Sequence, residues 1–249
     1  MCALYPELMN IYADRGNLLM LERRCTWRDI GFDVHASTLG DELDPDGADL
    51  FYIGGGQDRD QRLVAFDLQE KRDALHAAAD RGAVILAVCG GYQLLGHSYE
   101  LGEDELQGSR TLPEGSRTLP GVGLIDIRTV RTDGPRLIGN IAIEVELEPG
   151  SRRILAGFEN HGGRTHLGAS AQPLGRVVRG HGNNGRDQLE GVRRGTVIGT
   201  YMHGPLLPKN AWFADWLIAS ALGRSQPLPE LHDELERAAH AEASRAAGI

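Results

Sequence analysis

Long apolar runs are missing from this chain. None of its stretches approaches the roughly twenty apolar residues that a membrane-crossing helix needs, so membrane insertion is not expected. Basic charge is also short: 26 Lys and Arg stand against 35 Asp and Glu, a net charge of −9 with a pI near 5.5. That excludes the basic face by which nucleic-acid binders hold phosphates. Cysteine is scarce too. Cys2, Cys25 and Cys89 are odd in number and lack CxxC spacing, which argues against a disulfide framework or zinc knuckle and suits a reducing compartment. The start of the chain shows no basic-then-apolar leader, so a soluble cytoplasmic protein is the expectation.

What is present alternates. Met1–Tyr5, Phe32–Ala36, Asp49–Ile53 and Ala83–Val88 read as strands, and Leu18–Ile30 (with Gly31 as C-cap) and Leu63–Arg81 read as helices between them. This order predicts βαβ units and a mostly parallel sheet flanked by helices, an α/β fold. Glu100–Gly123 breaks the pattern with a literal duplication, GSRTLP at Gly108–Pro113 and again at Gly115–Pro120. Two such short copies make no solenoid and read as a lengthened, poorly ordered loop. Beyond it the chain turns β-rich, at Leu124–Arg131, Ile138–Leu147, Gly175–Arg179 and Thr196–Met202, which implies added antiparallel strands. Pro208–Leu222 reads as a helix ended by Gly223. Residues 1–223 are therefore expected to form one domain, and 224–249 a tail, helical or disordered.

The stretch with a chemical commitment is AVILAVCGGYQLLG, Ala83–Gly96. A buried strand runs into Cys89, two glycines follow, and helical spacing resumes at Tyr92, Leu94 and Leu95. This is the layout of a nucleophile elbow with Cys in place of Ser. Gly90 and Gly91 let substrate approach the backbone and let the N–H after Cys89 face an oxyanion, while the helix start favours thiolate. A buried structural cysteine is the alternative, but packing alone does not require Cys-Gly-Gly there. A thiol nucleophile needs a base. Of nine histidines, His76, His232 and His240 sit on polar stretches, and His97 points away by helical phase. His203 closes the apolar run GTVIGTYMH, where catalytic groups of open α/β sheets gather; a histidine satisfied in a turn is its alternative.

Three weaker signals accompany these. Gly54-Gly55-Gly56-Gln57 ends a strand but lacks GxGxxG spacing, so a nicotinamide site is rejected and a second oxyanion donor is the useful reading. Gly157–Thr165 reads as a glycine-rich polar loop that could line a pocket, or as a plain hairpin connection. Arg136 has the fork that suits a carboxylate, though many arginines are simply solvated.

Together AVCGGYQLLG, IGGGQDRDQ, GFENHGGRTHLG and TYMHGPLLPKN resemble class I glutamine amidotransferases of the cobyric-acid-synthase-like branch. LYPELMNIYADRGN and GGGQDRDQ narrow the resemblance to glutaminase subunits that serve cell-wall amidation. The likeness spans about Leu4 to Gly223. It implies a flavodoxin-like α/β fold in which Cys89 attacks the side-chain amide of L-glutamine, with His203 as base and acid. It also implies that Gly55 or Gly56 and Gly90 hold the oxyanion, that Gln93 lies near the substrate and that Arg136 binds it. No metal or cofactor is implied in this chain. ATP and Mg are expected on a Mur-ligase-like synthetase subunit (MurT), which would form a heterodimer with it and use the ammonia to amidate the D-glutamate of lipid II. Many class I members carry Glu two residues after the histidine. Here that residue is Pro205, so the site reads as a Cys89–His203 dyad, with any acid coming from elsewhere. The glutaminase part of a cobyrinate-type amide synthase and a catalytically inactive regulatory subunit remain the competing readings. The former family is usually fused to a synthetase domain.

Overall fold

The computed structural model describes residues 1–11, 15–102 and 117–249. Its first half runs β1 (Cys2–Leu4), α1 (Arg15–Thr26), β2 (His35–Ser37), β3 (Leu50–Ile53), α2 (Asp58–Glu70), α3 (Arg72–Asp80), β4 (Val84–Val88) and α4 (Gly90–Leu95). Then come β5 (Ser98–Glu100), β6 (Thr118–Pro120), β7 (Ile127–Arg131), β8 (Leu137–Glu148), β9 (Ser151–His161) and β10 (Gly163–Leu167). The chain closes with β11 (Gly175–Arg179), β12 (Leu189–Glu190), β13 (Val192–Arg194), β14 (Val197–Thr200), α5 (Leu206–Lys209), α6 (Ala211–Ala221) and α7 (Glu234–Ala247).

Six strands form the central sheet in the order β13-β14-β4-β3-β1-β2, parallel except for the β13–β14 pair. β3 and β4 are buried along their whole length, as apolar strands with both faces covered must be. The expected α/β sheet flanked by helices is therefore present, and so are the added antiparallel strands, in two further four-stranded sheets, β10-β7-β5-β6 and β12-β11-β8-β9. Among the described residues no helix is long and apolar enough to cross a membrane.

Three departures have physical causes. The helix expected over Leu63–Arg81 is two, broken at Lys71 (φ −92°, ψ 0°), whose ammonium is buried against Asp67 and the Thr38 carbonyl. Satisfying that buried cation outweighs continuing the helix. The first helix stops at Thr26. The left-handed residue that ends it is Asp29 (φ 53°), not Gly31, with the N–H groups of Arg28 and Ile30 both on the Cys25 carbonyl. GFENHGGRT is not a loop: it is the end of β9 and the start of β10, separated by Gly162. Its polar letters hide a strand because Glu159, fully buried, accepts the N–H groups of His181 and Gly182 at 2.6 and 2.9 Å. The first GSRTLP copy lies outside the described residues, and the second ends as β6, paired with β5.

Segment 224–233 leads into α7, and Asp233 is bound by the buried guanidinium of Arg24, which also holds Asp215 on α6. The tail is helical. His240, expected in solvent, contacts the Lys209 carbonyl at 2.9 Å.

Candidate active site

The site is assembled where β3, β4 and β14 end. Parallel register pairs Val88 with Thr200, and the Cys89 N–H donates to the Thr200 carbonyl at 2.8 Å. Cys89 thus leaves one strand and His203 follows the next, so both residues come off the carboxyl ends of neighbouring strands. Cys89 has φ 52° and ψ −108°, a conformation that costs an L-residue about 1–3 kcal/mol. The surroundings enforce it. Gly91 donates to the Gly54 carbonyl at 3.0 Å, and a Cβ there would lie 2.7 Å from the Ile53 carbonyl oxygen. This is the strained turn that the sequence motif predicts.

Beside it lies a cavity of about 450 Å³, lined among others by Cys89, Gly56, Gly90, Gln93, Arg136 and His161. A larger cavity of about 500 Å³, between α6, the β8–β9 hairpin and the tail, contains none of these residues. The point that a Cβ on Gly90 would occupy lies 3.2 Å from the Gly56 amide nitrogen, 3.2 Å from Met9 Cε and 3.3 Å from Gln61 Cδ, so only glycine lets the two backbones come this close. The Gly90 N–H, first in its helix, has no acceptor four residues back. Gly55 is not among the lining residues, and its carbonyl accepts the Ile11 N–H at 3.1 Å. Gln93 is tied at both ends of its amide: Gln61 Nε2 donates to its Oε1 at 2.7 Å, and its Nε2 donates to the Tyr201 hydroxyl at 3.1 Å. Tyr201 continues through Thr165 (2.6 Å) to Thr129 (2.7 Å).

His203 is not among the lining residues and is only 1 % exposed. Its backbone exchanges hydrogen bonds with Phe158 at 2.9 and 3.1 Å, clamping it to β9. Burial pushes its imidazole down to about 4, helped by the neighbouring His161, Lys209 and Arg136 and opposed by the Asn160 backbone carbonyl as acceptor. The ring is therefore neutral at physiological pH, the state in which it can accept a proton. Arg136 is held by Asn160 through two bonds, Nε to Oδ1 at 2.8 Å and Nη2 to the carbonyl at 2.9 Å.

Several residues with structural work here escape a reading of motifs. Asn17 on α1 donates to the Tyr52 hydroxyl at 2.9 Å and accepts the Leu207 N–H at 2.8 Å, fixing the turn after His203. Gly16 beside it lets that turn close, since a Cβ would lie 2.7 Å from the Pro205 ring. By contrast His161, in the Gly157–Thr165 stretch expected as a possible pocket lining, does line the cavity, stacked on Tyr201 with centroids 3.6 Å apart. Glu190, fully buried, takes the Thr200 hydroxyl and the Tyr201 N–H at 2.6 and 2.8 Å; burial first of all pushes its carboxyl up to about 7. The only sequence signal for Gly16 and Asn17 is their place in the MNIYADRGN motif. Glu190 carries none.

A strained elbow cysteine facing a cavity at the carboxyl ends of a parallel sheet, with glycine backbone beside it, is the layout of a thiol-nucleophile site on an α/β fold. The family model of the CobB/CobQ-like glutamine amidotransferase domain matches residues 1–211, and the chain belongs to that family. It is a glutamine amidotransferase, and its glutaminase chemistry follows from that membership. Among curated relatives, the lipid II isoglutaminyl synthase (glutamine-hydrolyzing) subunit GatD of Streptococcus pneumoniae is 37% identical over 94% of this chain and 86% of its own length. GatD of Staphylococcus aureus is also 37% identical, over 88% of this chain and 82% of its own. PurLQS from Thermotoga maritima shares the fold, with a TM-score of 0.58 at 21% identity, covering 89% of this chain and 96% of that one.

Proposed function

We propose that this chain is the glutaminase subunit of a lipid II isoglutaminyl synthase and that Cys89 and His203 are its catalytic dyad. The observation that carries the dyad is the strained Cys89 at the edge to which the adjacent strand also delivers a buried, neutral His203. The two GatD relatives supply the biological setting. In this reading His203 takes the Cys89 proton, and the thiolate attacks the side-chain amide carbon of L-glutamine. The oxyanion is held by the backbone N–H groups of Gly90 and of Gly56 or Gly55. Collapse of the adduct breaks the C–N bond as His203 protonates the departing nitrogen, leaving a thioester and ammonia. Water, giving its proton to His203, then cleaves the thioester to glutamate. Arg136 takes the substrate α-carboxylate. Gln93, bonded at both ends of its amide, holds the floor of the pocket near the substrate.

The partner in this reading is the Mur-ligase-like subunit MurT. In the cytoplasm it would use ATP, Mg and the released ammonia to amidate the α-carboxylate of D-glutamate in the lipid II stem. Lys209 and Arg136 disfavour a proton on His203, and Pro205 stands where many relatives in the wider class place Glu. The partner therefore completes or orients the dyad, and the chain by itself is a poor glutaminase. Ammonia release from glutamine, measured for the chain alone, for the complex, and for complexes with Cys89→Ala or His203→Ala, tests this. Release by the complex and by neither variant is expected. Equal rates for the lone chain and the complex would overturn the partner's role, and an active Cys89→Ala variant would overturn the dyad.

A further inference from the structure

Asn160 touches both halves of the proposed machinery without belonging to either. It follows Phe158 by two residues on β9, the strand whose backbone grips His203 at 2.9 and 3.1 Å. It is paired across to Ile138 on β8, directly after Arg136 and Leu137. Its Oδ1 and its carbonyl oxygen accept from Arg136 Nε and Nη2 at 2.8 and 2.9 Å. Its backbone carbonyl also acts on the His203 imidazole, favouring the protonated ring. One residue therefore lies between the Arg136 guanidinium on the cavity wall and the strand that grips His203.

We infer that Asn160 is a positioning residue that couples substrate engagement at Arg136 to the orientation of His203. This rests on the glutaminase reading above. A guanidinium has five N–H donors in one plane. Asn160 uses two of them, leaving three for a carboxylate. A carboxylate bound in that plane fixes the guanidinium with charge-assisted bonds. Because the guanidinium is already clamped to Asn160, fixing one fixes the other. Asn160 in turn sets the backbone that His203 leans on. Asparagine suits the position: it accepts from the guanidinium without adding a negative charge that would compete with the substrate.

The test uses steady-state glutamine hydrolysis by the complex of this chain with its synthetase subunit, with thermal unfolding followed in parallel. Asn160→Ala removes one acceptor and loosens the clamp. Since a hydrogen bond to a charged group carries a factor of about ten or more, kcat is expected to fall about tenfold and KM to rise about tenfold. Asn160→Asp keeps the acceptor but neutralises Arg136, so kcat recovers while KM stays raised. In a double-mutant cycle with Arg136→Lys, the kcat losses are expected to be smaller together than their product. A wild-type kcat in Asn160→Ala, or fully multiplicative losses, would overturn the coupling and leave the glutaminase reading intact. No hydrolysis by the unsubstituted complex would overturn both. If Asn160→Ala does not fold, Asn160→Gln, which displaces the acceptor, decides in its place: a lowered kcat with a raised KM supports the coupling, and a wild-type kcat overturns it.

Discussion

Replacing Gly91 with alanine tests whether the elbow is as tightly enforced as its geometry implies. An added Cβ would lie 2.7 Å from the Ile53 carbonyl oxygen, 2.8 Å from Ile53 Cγ2 and 2.9 Å from the Gly54 carbonyl oxygen. Two of those atoms are backbone of β3 and its exit turn, which cannot rotate away. The clash also pushes apart the 3.0 Å bond from the Gly91 N–H to Gly54. Overpacking of this kind costs about 1–3 kcal/mol and a lost hydrogen bond about 1 more, so about 2–4 kcal/mol in total. At about 2–4 °C per kcal/mol for a chain of this size, the unfolding midpoint should fall by about 4–16 °C. A displacement of about 1 Å at Cys89 should lower glutamine hydrolysis about a hundredfold in the fraction that stays folded. Gly31→Ala is the control: a Cβ there meets nothing within 4 Å, and its effect should stay within about 1 kcal/mol. Differential scanning fluorimetry and an ammonia-release assay on both variants give the answer. A Gly91→Ala variant as stable and active as Gly31→Ala would refute the reasoning.

Two further outcomes are expected. With histidine isotopically labelled, the His203 ring should titrate near 4, well below an exposed imidazole. Its folded value is depressed, so its contribution to stability is present above about pH 6.5 and is lost as pH falls towards 4; a ring titrating at 6.5 would contradict the burial described. Arg24→Ala would remove the cation on Asp233 and leave Asp215 to Arg28 alone, and should destabilise the chain by about 3 kcal/mol and free 224–249 for proteolysis; unchanged proteolysis would show that the tail is held elsewhere.

The parts of this molecule legible in its sequence are those governed by local pattern. β4, Cys89 and the two glycines were readable because a fully apolar run followed by Cys-Gly-Gly has few other structural uses. β11 was readable for the same reason, a short β-prone run between glycines. Long-range satisfaction of buried polar groups was not readable. Lys71 sits at a helix break where its buried ammonium meets the Thr38 carbonyl, 33 residues earlier in the chain. Glu159, Asn160 and His161 look like a loop because the partners that let them sit in a strand lie at 181–182, 136 and 163. Cys89 and His203 stood out by position at strand ends, whereas Asn17 and Asn160 were marked only by lying in MNIYADRGN and GFENHGGRTHLG, since the bonds they make are to residues far along the chain or across β8.

The central claim is that the Cys89 sulfur is the nucleophile of a glutamine-recognising pocket. Incubating the complex with a diazoketone analogue of L-glutamine, followed by peptide mass spectrometry, addresses it most directly. A single adduct on the peptide containing Cys89 is expected, abolished by excess glutamine and slowed by His203→Ala. Cys2 and Cys25, buried with thiols pushed up to about 11 chiefly by that burial, should stay unmodified. An unlabelled Cys89, or labelling at Cys2 or Cys25 instead, would contradict the account.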